Sequence, residues 1–205
     1  LNLVEIDSES VVYLKNTYDE NQVNLIEGDF LKLDFKNTFG EEPFAITGNF
    51  PYNISTQIVF KTLENRDQIP FFSGMFQKEV AERICEPPGS KKYGILSVLT
   101  QLFYKTELLF HVPPQVFKPP PKVDSAVIRL VRKTDFHLDC DEVLLFQLVK
   151  LSFQQRRKTL RNSLKTLNIP KMLTEDSIFD LRPEKLSGKD FVQLAKQIGH
   201  GNISN

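Results

Sequence analysis

The sequence predicts an α/β fold: a sheet with its helices in residues 1–133, followed by a small all-helical domain in residues 134–205. Three observations predict it. Apolar runs of strand length alternate with helical stretches through the first part, the pattern of an α/β sheet. From Asp141 the spacing turns helical, with Leu145, Leu148 and Val149, then Phe153, Leu160, Leu164 and Leu167, recurring at three, four or seven. Between the two parts, Arg132-Lys133-Thr134-Asp135 is a polar joint.

Taken in order, residues 1–7 read as a strand ending in acids, followed by a short helix over Ser8–Thr17. Residues 23–27 are the next strand, closed by Gly28-Asp29-Phe30. Residues 44–48 are a third apolar run, leading into Asn49-Phe50-Pro51-Tyr52-Asn53 and then a helix over residues 55–63 with Ser55 as its N-cap. Residues 70–77 are too apolar for one exposed face and read as a buried strand. Lys78–Cys85 reads as a helix, residues 86–92 as an exposed loop, and Tyr93-Gly94 as the opening of a helix with Leu96, Leu99, Leu102 and Phe103 on one face. Residues 108–112 and 125–130 read as a closing pair of strands joined through Pro113-Pro114 and Pro119-Pro120-Pro121. His111, a lone histidine in a strand, supports no triad or metal site. Asn168-Ile169-Pro170 ends the first helical segment, and a final helix runs through Phe191, Leu194, Ala195 and Ile198.

Composition bounds the function. The chain has 205 residues, 40% hydrophobic and 25% charged, which suits a soluble globular protein of one or two domains. No stretch approaches ~18 uninterrupted apolar residues, and the N-terminus has no signal-peptide pattern, so a cytoplasmic protein without a membrane span is expected. Cys85 and Cys140 are too few for a disulfide framework or a metal site and read as reduced thiols. Net charge is zero, but residues 143–174 contain no acid and seven cations: Lys150, Arg156, Arg157, Lys158, Arg161, Lys165 and Lys171. A one-sided field of this kind steers a polyanion. The spacing of Arg157, Arg161 and Lys165 predicts one shared helical face for phosphate contact.

The turn after residue 48 carries the chemistry. A strand that ends in a stiff polar-aromatic turn and then a helix presents side chains at the carboxyl edge of a sheet, where α/β folds bind ligands. The substrate type it suits is a planar amine. An exocyclic amino group is conjugated with its ring and is a poor nucleophile. Two acceptors, the Asn49 amide oxygen and a backbone carbonyl held by Pro51, such as that of Phe50, can take its two N–H bonds and aim the lone pair at an electrophile. Tyr52 can stack on a base splayed out of its helix. The plain alternative is an Asn-Pro turn with a core tyrosine.

Asn49-Phe50-Pro51-Tyr52-Asn53 resembles the Asn-x-Pro-Tyr motif of amino-group methyltransferases that use S-adenosylmethionine, and specifically the ribosomal RNA adenine dimethyltransferase family. Three further blocks are similar to the branch acting on small-subunit ribosomal RNA. They are Gln77-Lys78-Glu79-Val80-Ala81-Glu82-Arg83, residues 116–127 around Phe117-Lys118-Pro119-Pro120-Pro121-Lys122-Val123-Asp124-Ser125, and Arg156-Arg157-Lys158-Thr159-Leu160-Arg161-Asn162-Ser163-Leu164. Four blocks in the family's order are a strong resemblance covering nearly the whole chain.

The resemblance implies a Rossmann-like methyltransferase sheet and dimethylation of two adjacent adenines in small-subunit ribosomal RNA, linked to ribosome assembly. S-adenosyl-L-methionine is the implied cofactor and the pre-ribosomal small subunit the partner, with no metal and a monomeric protein. It assigns catalysis to Asn49, Phe50, Pro51 and Tyr52. Glu5, with Ile6 beside it, is implied as the ribose-binding acid, Asp29 as the acceptor of the cofactor's adenine amine, and Asn49 as a third contact. Phe30 either packs beside that adenine or belongs to the core. Phe117 is implied as the second aromatic wall of the target-base pocket, opposite Tyr52. Arg156, Arg157, Lys158, Arg161 and Lys165 are implied as RNA contacts. In the family a strand and a Gly-x-Gly turn come before this point, and no such loop occurs in the sequence. The chain therefore reads as a fragment. Residues 1–205 alone are expected to bind the cofactor weakly, to be marginally stable and inactive, and to leave Leu3 and Ile46 partly uncovered. Two other readings compete: the related large-subunit dimethylase of the antibiotic-resistance type, and a non-catalytic RNA-binding assembly protein.

Overall fold

The computed structural model describes residues 1–135 and 137–203; residues 136, 204 and 205 of the expected helical domain lie outside the described residues. Strand β1 (Asn2–Glu5), helix α1 (Ser8–Thr17) and strand β2 (Asn24–Glu27) form the first βαβ unit. A 3-10 turn and helix α2 (Phe35–Phe39) follow. A second unit comprises β3 (Ala45–Asn49), α3 (Ser55–Glu64) and β4 (Phe71–Gln77). Helices α4 (Lys78–Cys85) and α5 (Ile95–Phe103) lead to strands β5 (Tyr104–Val112) and β6 (Ser125–Arg132). Beyond residue 133 the described elements are all helical: α6 (Glu142–Gln154), α7 (Leu160–Ser163), α8 (Lys171–Thr174) and α9 (Gly188–Ile203), with 3-10 turns between them.

The strands lie in two sheets. β1 and β2 pair in parallel, from Asn2 opposite Asn24 to Glu5 opposite Glu27. The other sheet has the order β3-β4-β6-β5, with β3 parallel to β4 and β6 antiparallel to both its neighbours. Parallel pairs need crossover helices, and α1 and α3 supply them. Both sheets are tied to each other through side chains. Lys61 of α3 donates to the carbonyls of Leu31 and Leu33 at 2.9 and 2.7 Å, just past β2, and its ammonium lies 4.7 Å over the Phe35 ring. Leu3 is half-buried, whereas Ile46 is only 7% exposed. It lies on the inward face of β3 and belongs to the main core, so the expected uncovering does not extend to it.

Helix α1 starts where an acid can cap it: the Asp7 carboxylate accepts from the Ser10 N–H at 2.8 Å. Helix α3 departs from expectation. Its N-cap is Ile54, and Ser55 is the first helical residue, fully buried, its hydroxyl donating to the Tyr52 carbonyl at 3.0 Å. The serine turns inward to fasten the preceding turn instead of closing the helix end. Helix α5 differs too. An apolar face is expected, yet Leu96, Ser97, Val98, Leu99, Thr100, Leu102 and Phe103 are all buried. It lies between α4 and β5 on one side and α6 and α9 on the other, and a helix covered all round has no solvent face. The core consequently runs without a break from the sheet into the helical half. Arg66, just beyond the end of α3, reinforces that joint by donating to both Glu142 oxygens at 2.6 and 2.8 Å while its guanidinium stacks 4.2 Å over Phe103. Among the described residues no helix is long and apolar enough to cross a membrane.

Burial of weak acids in this core makes stability pH-dependent. Burial pushes the Cys85 thiol up to about 11 and the Tyr93 phenol up to about 12. The Tyr104 phenol, which donates to the Ile69 carbonyl at 2.8 Å, is raised further by the same cause. Each folded value lies above the unfolded one, so the stabilisation is complete below about pH 9 and is lost as pH rises through 11 and 12. The melting temperature should therefore fall steeply above pH 10, and less so in a Tyr93→Phe variant. A fall of equal steepness in that variant would remove Tyr93 from the account.

Candidate active site

Strand β3 ends at Asn49, and the turn that follows is held from three directions. Inside the turn, the carbonyls of Pro51 and Tyr52 accept from the Ile54 N–H at 3.2 Å and the Ser55 hydroxyl at 3.0 Å. Below it, the Phe50 ring enters the core and stacks on Phe72, centroids 5.3 Å apart and planes 16° apart, with Phe76 at 5.7 Å. Above it, the Tyr52 hydroxyl meets the buried Ser125 hydroxyl at 2.5 Å, at the first residue of β6.

The Phe50 ring lies directly on sheet backbone. Gly48 and Gly74 face each other across the β3–β4 ladder, and a Cβ at either would come within 2.8 and 2.2 Å of Phe50 ring carbons. Two opposed glycines clear the space that the ring fills. Phe50 therefore anchors the turn from within the core and does not face a substrate with its side chain. Neither the glycine pair nor Ser125 is assigned a role by the sequence reading. The glycine in the middle of a buried strand was the available signal, because such a glycine marks close approach of another group. Nothing local points from Ser125 to Tyr52, 73 residues away.

What remains outward is the chemistry. The Asn49 side chain is exposed and makes no hydrogen bond among the described residues. Asn49, Phe50, Pro51, Tyr52, Phe117, Pro119 and Pro121 line one cavity of about 360 Å³. Phe117 reaches it from the proline-rich connection, where a 3-10 turn of residues Pro114–Val116 closes with the Phe117 N–H donating to the Pro114 carbonyl at 3.1 Å. The turn and Phe117, expected on opposite sides of a base, thus share one cavity.

The residues expected at the cofactor stand at strand ends. Glu5 ends β1, and its Oε1 accepts from the Ile6 and Asp7 N–H groups, both at 2.8 Å. That fixes the carboxylate and leaves Oε2 without a hydrogen bond among the described residues. Ile6 is 67% exposed. Asp29 follows β2, with its Oδ1 accepting from the Leu31 N–H at 2.9 Å and its Oδ2 3.9 Å from the Lys32 ammonium. The Phe30 ring packs 5.4 Å from Phe35 in a cluster with Phe39 and Phe44, so one of its faces belongs to the core. Two rigid acceptors and an exposed apolar side chain fit a nucleoside with a vicinal diol and an amine.

The basic segment is where expectation and structure part. Arg157, Arg161 and Lys165 do not share one helix. Helix α6 stops at Gln154, a turn with the Lys158 N–H donating 2.7 Å to the Gln155 carbonyl follows, and α7 starts again at Leu160. Three successive cations, Arg156 to Lys158, stand at that break; Arg157 and Lys158 point to solvent. Arg161 is committed internally, donating 3.0 and 2.8 Å bonds to Asp180 and a third to the Thr174 carbonyl. Arg156 donates to the Ser90 carbonyl at 3.1 Å. Arg157, Lys158 and Lys165 are exposed and form no ion pair among the described residues.

The family model for ribosomal RNA adenine dimethylase matches residues 1–197. The chain belongs to the ribosomal RNA adenine dimethylase family. Relatives of high identity carry the name ribosomal RNA small subunit methyltransferase A. That of Flavobacterium johnsoniae is 61% identical over 196 residues, spanning 96% of this chain and 75% of the relative. That of Bacteroides thetaiotaomicron is 55% identical over 201 residues, 97% of this chain and 74% of the relative. Among solved structures, a dimethyladenosine transferase from Plasmodium falciparum is similar with a TM-score of 0.80 and 27% identity, covering 98% of this chain and 82% of that one. The 23S rRNA methyltransferase ErmE shares the fold, with a TM-score of 0.64 and 22% identity over 95% of this chain and 81% of that one. The fold is thus the Rossmann-like one of this family, whose members are S-adenosylmethionine-dependent methyltransferases.

Proposed function

We propose that this protein transfers methyl groups to the exocyclic amines of two adjacent adenines in small-subunit ribosomal RNA, twice at each, as a monomer acting on the assembling subunit in the cytoplasm. The observation that carries the reading is the single cavity joining Asn49 and Tyr52 to Phe117. Tyr52, fixed through Ser125, and Phe117, fixed on a proline-stiffened loop, can clasp a flipped base between two rings. The Asn49 amide oxygen accepts one N–H of the amine. The Phe50 carbonyl is the natural second acceptor, since those of Pro51 and Tyr52 already receive bonds. No residue need act as a base before transfer; positioning and hydrogen bonding aim the lone pair.

S-adenosylmethionine supplies an electrophilic methyl group when bound. Glu5 Oε2 would accept from its ribose hydroxyls, Asp29 from its adenine amine, with Ile6 and Phe30 as apolar neighbours. Relatives named for the small subunit, at 50–61% identity, favour this substrate over large-subunit RNA. The unpartnered Asn49 favours an enzyme over a passive RNA binder. Incubation of the intact protein with methyl-labelled cofactor should move label into small-subunit ribosomal RNA; label confined to large-subunit RNA would defeat the reading.

RNA affinity is expected to rest on the exposed cations at the α6–α7 break. Replacing Arg157, Lys158 and Lys165 by glutamine should lower the logarithmic salt slope of RNA binding by about 0.7–0.9 per lost phosphate contact. Arg161→Gln should instead lower stability by loosening α7 from Asp180. An unchanged slope in the triple variant would mean that these side chains only solvate the turn.

A further inference from the structure

The block Gln77–Arg83 has no part in the chemistry above, yet it borders a second cavity. This cavity measures about 370 Å³ and is lined by Gln77, Lys78, Glu79, Glu82, Lys122 and Asp124, with Pro114 and Val123. It adjoins the target-base cavity through a common wall. Gln77 pairs with Ser125 in the β4–β6 ladder, and Ser125 holds Tyr52 of the neighbouring cavity. Asp124, next in sequence, accepts the Lys78 N–H at 2.9 Å through its carbonyl. Residues 114–124 therefore line both cavities, Phe117, Pro119 and Pro121 on one side and Pro114, Lys122, Val123 and Asp124 on the other.

The lining carries donors and acceptors together. Glu79 is paired with Arg83 at 2.5 Å, Glu82 with Lys92 at 2.6 Å, and Asp124 lies 3.9 Å from the Lys78 ammonium. Lys92 holds the Glu82 carboxyl below its ordinary range, so it is an acceptor at neutral pH. The half-buried Gln77 amide and the exposed Lys122 ammonium make no hydrogen bond among the described residues. A phosphate offers acceptors only and would meet three carboxylates. A nucleobase edge offers both donors and acceptors and matches the mixture.

We infer that this cavity receives the base of a nucleotide adjacent to the methylated adenine, read by the Gln77 amide and the Lys122 ammonium. The inference rests on the proposed function. Contacts to flanking nucleotides set the sequence context of enzymes that act on a flipped base. With the target base clasped by Tyr52 and Phe117, a neighbouring base can enter beyond the proline wall.

The test compares the intact wild-type protein with Lys122→Ala and Gln77→Ala on short RNA hairpins. The hairpins carry, at each neighbour of the target adenine, a normal nucleotide, an abasic one or a methylphosphonate linkage. Lys122 is exposed, so its variant leaves the fold in place. Each variant should raise KM about tenfold on normal RNA with kcat within twofold, the effect of one hydrogen bond to a charged or polar partner. On RNA abasic at one neighbour, wild type should lose both contacts, up to about a hundredfold in KM, and the variants should then match it, each losing only the contact it still had. The methylphosphonate should leave the difference between wild type and variants intact. The inference fails if the variants keep the wild-type KM, or if their defect persists undiminished on both abasic RNAs. Wild type that methylates small-subunit ribosomal RNA but no hairpin would overturn the inference, and wild type that methylates neither would overturn the proposed function itself.

Discussion

Replacing Asn49 by alanine is expected to lower the rate of methyl transfer by roughly 10²–10³ while leaving RNA affinity within about twofold, the usual cost of one polar contact made to a reacting group. The expectation follows from the state of the side chain. Asn49 is exposed at the end of β3 and makes no hydrogen bond among the described residues, so its removal breaks nothing in the fold. The loss should appear in kcat, because the amide oxygen orients the amine rather than binding the bulk of the RNA. Single-turnover kinetics and RNA titration on the same preparation separate the two quantities. An Asn49→Ala protein that methylates at the wild-type rate would take Asn49 out of the mechanism; one that loses RNA binding equally would make it a binding residue.

Gly74→Ala is expected to be almost as damaging, through the core. The new Cβ would come 2.2 and 2.7 Å from two Phe50 ring carbons and 3.2 Å from the Gly48 carbonyl oxygen. The ring cannot slide away, since Phe72 stacks on it and the tilted Phe76 ring packs 5.7 Å from it. Overpacking of this kind costs about 1–3 kcal/mol, and each kcal/mol lowers the melting temperature of a chain this size by about 2–4 °C. Displacement of Phe50 carries Asn49 and Pro51 with it, so activity should fall even below the melting transition. Adding Phe50→Leu should recover part of the lost stability, since a smaller side chain clears the new Cβ. Unchanged melting and full activity in Gly74→Ala would show that the ring does not depend on the glycine pair.

The contrast between these two residues explains what was legible in the sequence. Asn49, Pro51, Tyr52 and Phe117 sit in short segments whose composition is unusual locally, and the structure brings them to one cavity. Helices α1 and α4 run over the residues read for them, because each is bounded by strand or cap signals within one turn of chain. The partners of the site residues are long-range. Ser125 reaches Tyr52 and Gly74 clears room for Phe50 only after the strands have paired. The basic segment misled for the same reason. Periodicity alone extends a helix through Arg157 and Lys165, whereas the chain breaks at Gln155 and folds Arg161 onto Asp180. Ser55 has the composition of an N-cap, but the buried turn before it claims its hydroxyl.

The most direct measurement is nucleoside analysis by mass spectrometry of unmethylated small-subunit ribosomal RNA after incubation with the intact protein and S-adenosylmethionine. Digestion to nucleosides identifies the methylated atom, and digestion to fragments places it in the chain. Two adjacent adenosines carrying two methyl groups each on the exocyclic nitrogen are expected, and neither in parallel reactions with Tyr52→Ala or Phe117→Ala. Methyl groups on ribose or on a ring atom, or dimethyladenosine formed at the wild-type rate by both variants, would contradict the proposed function.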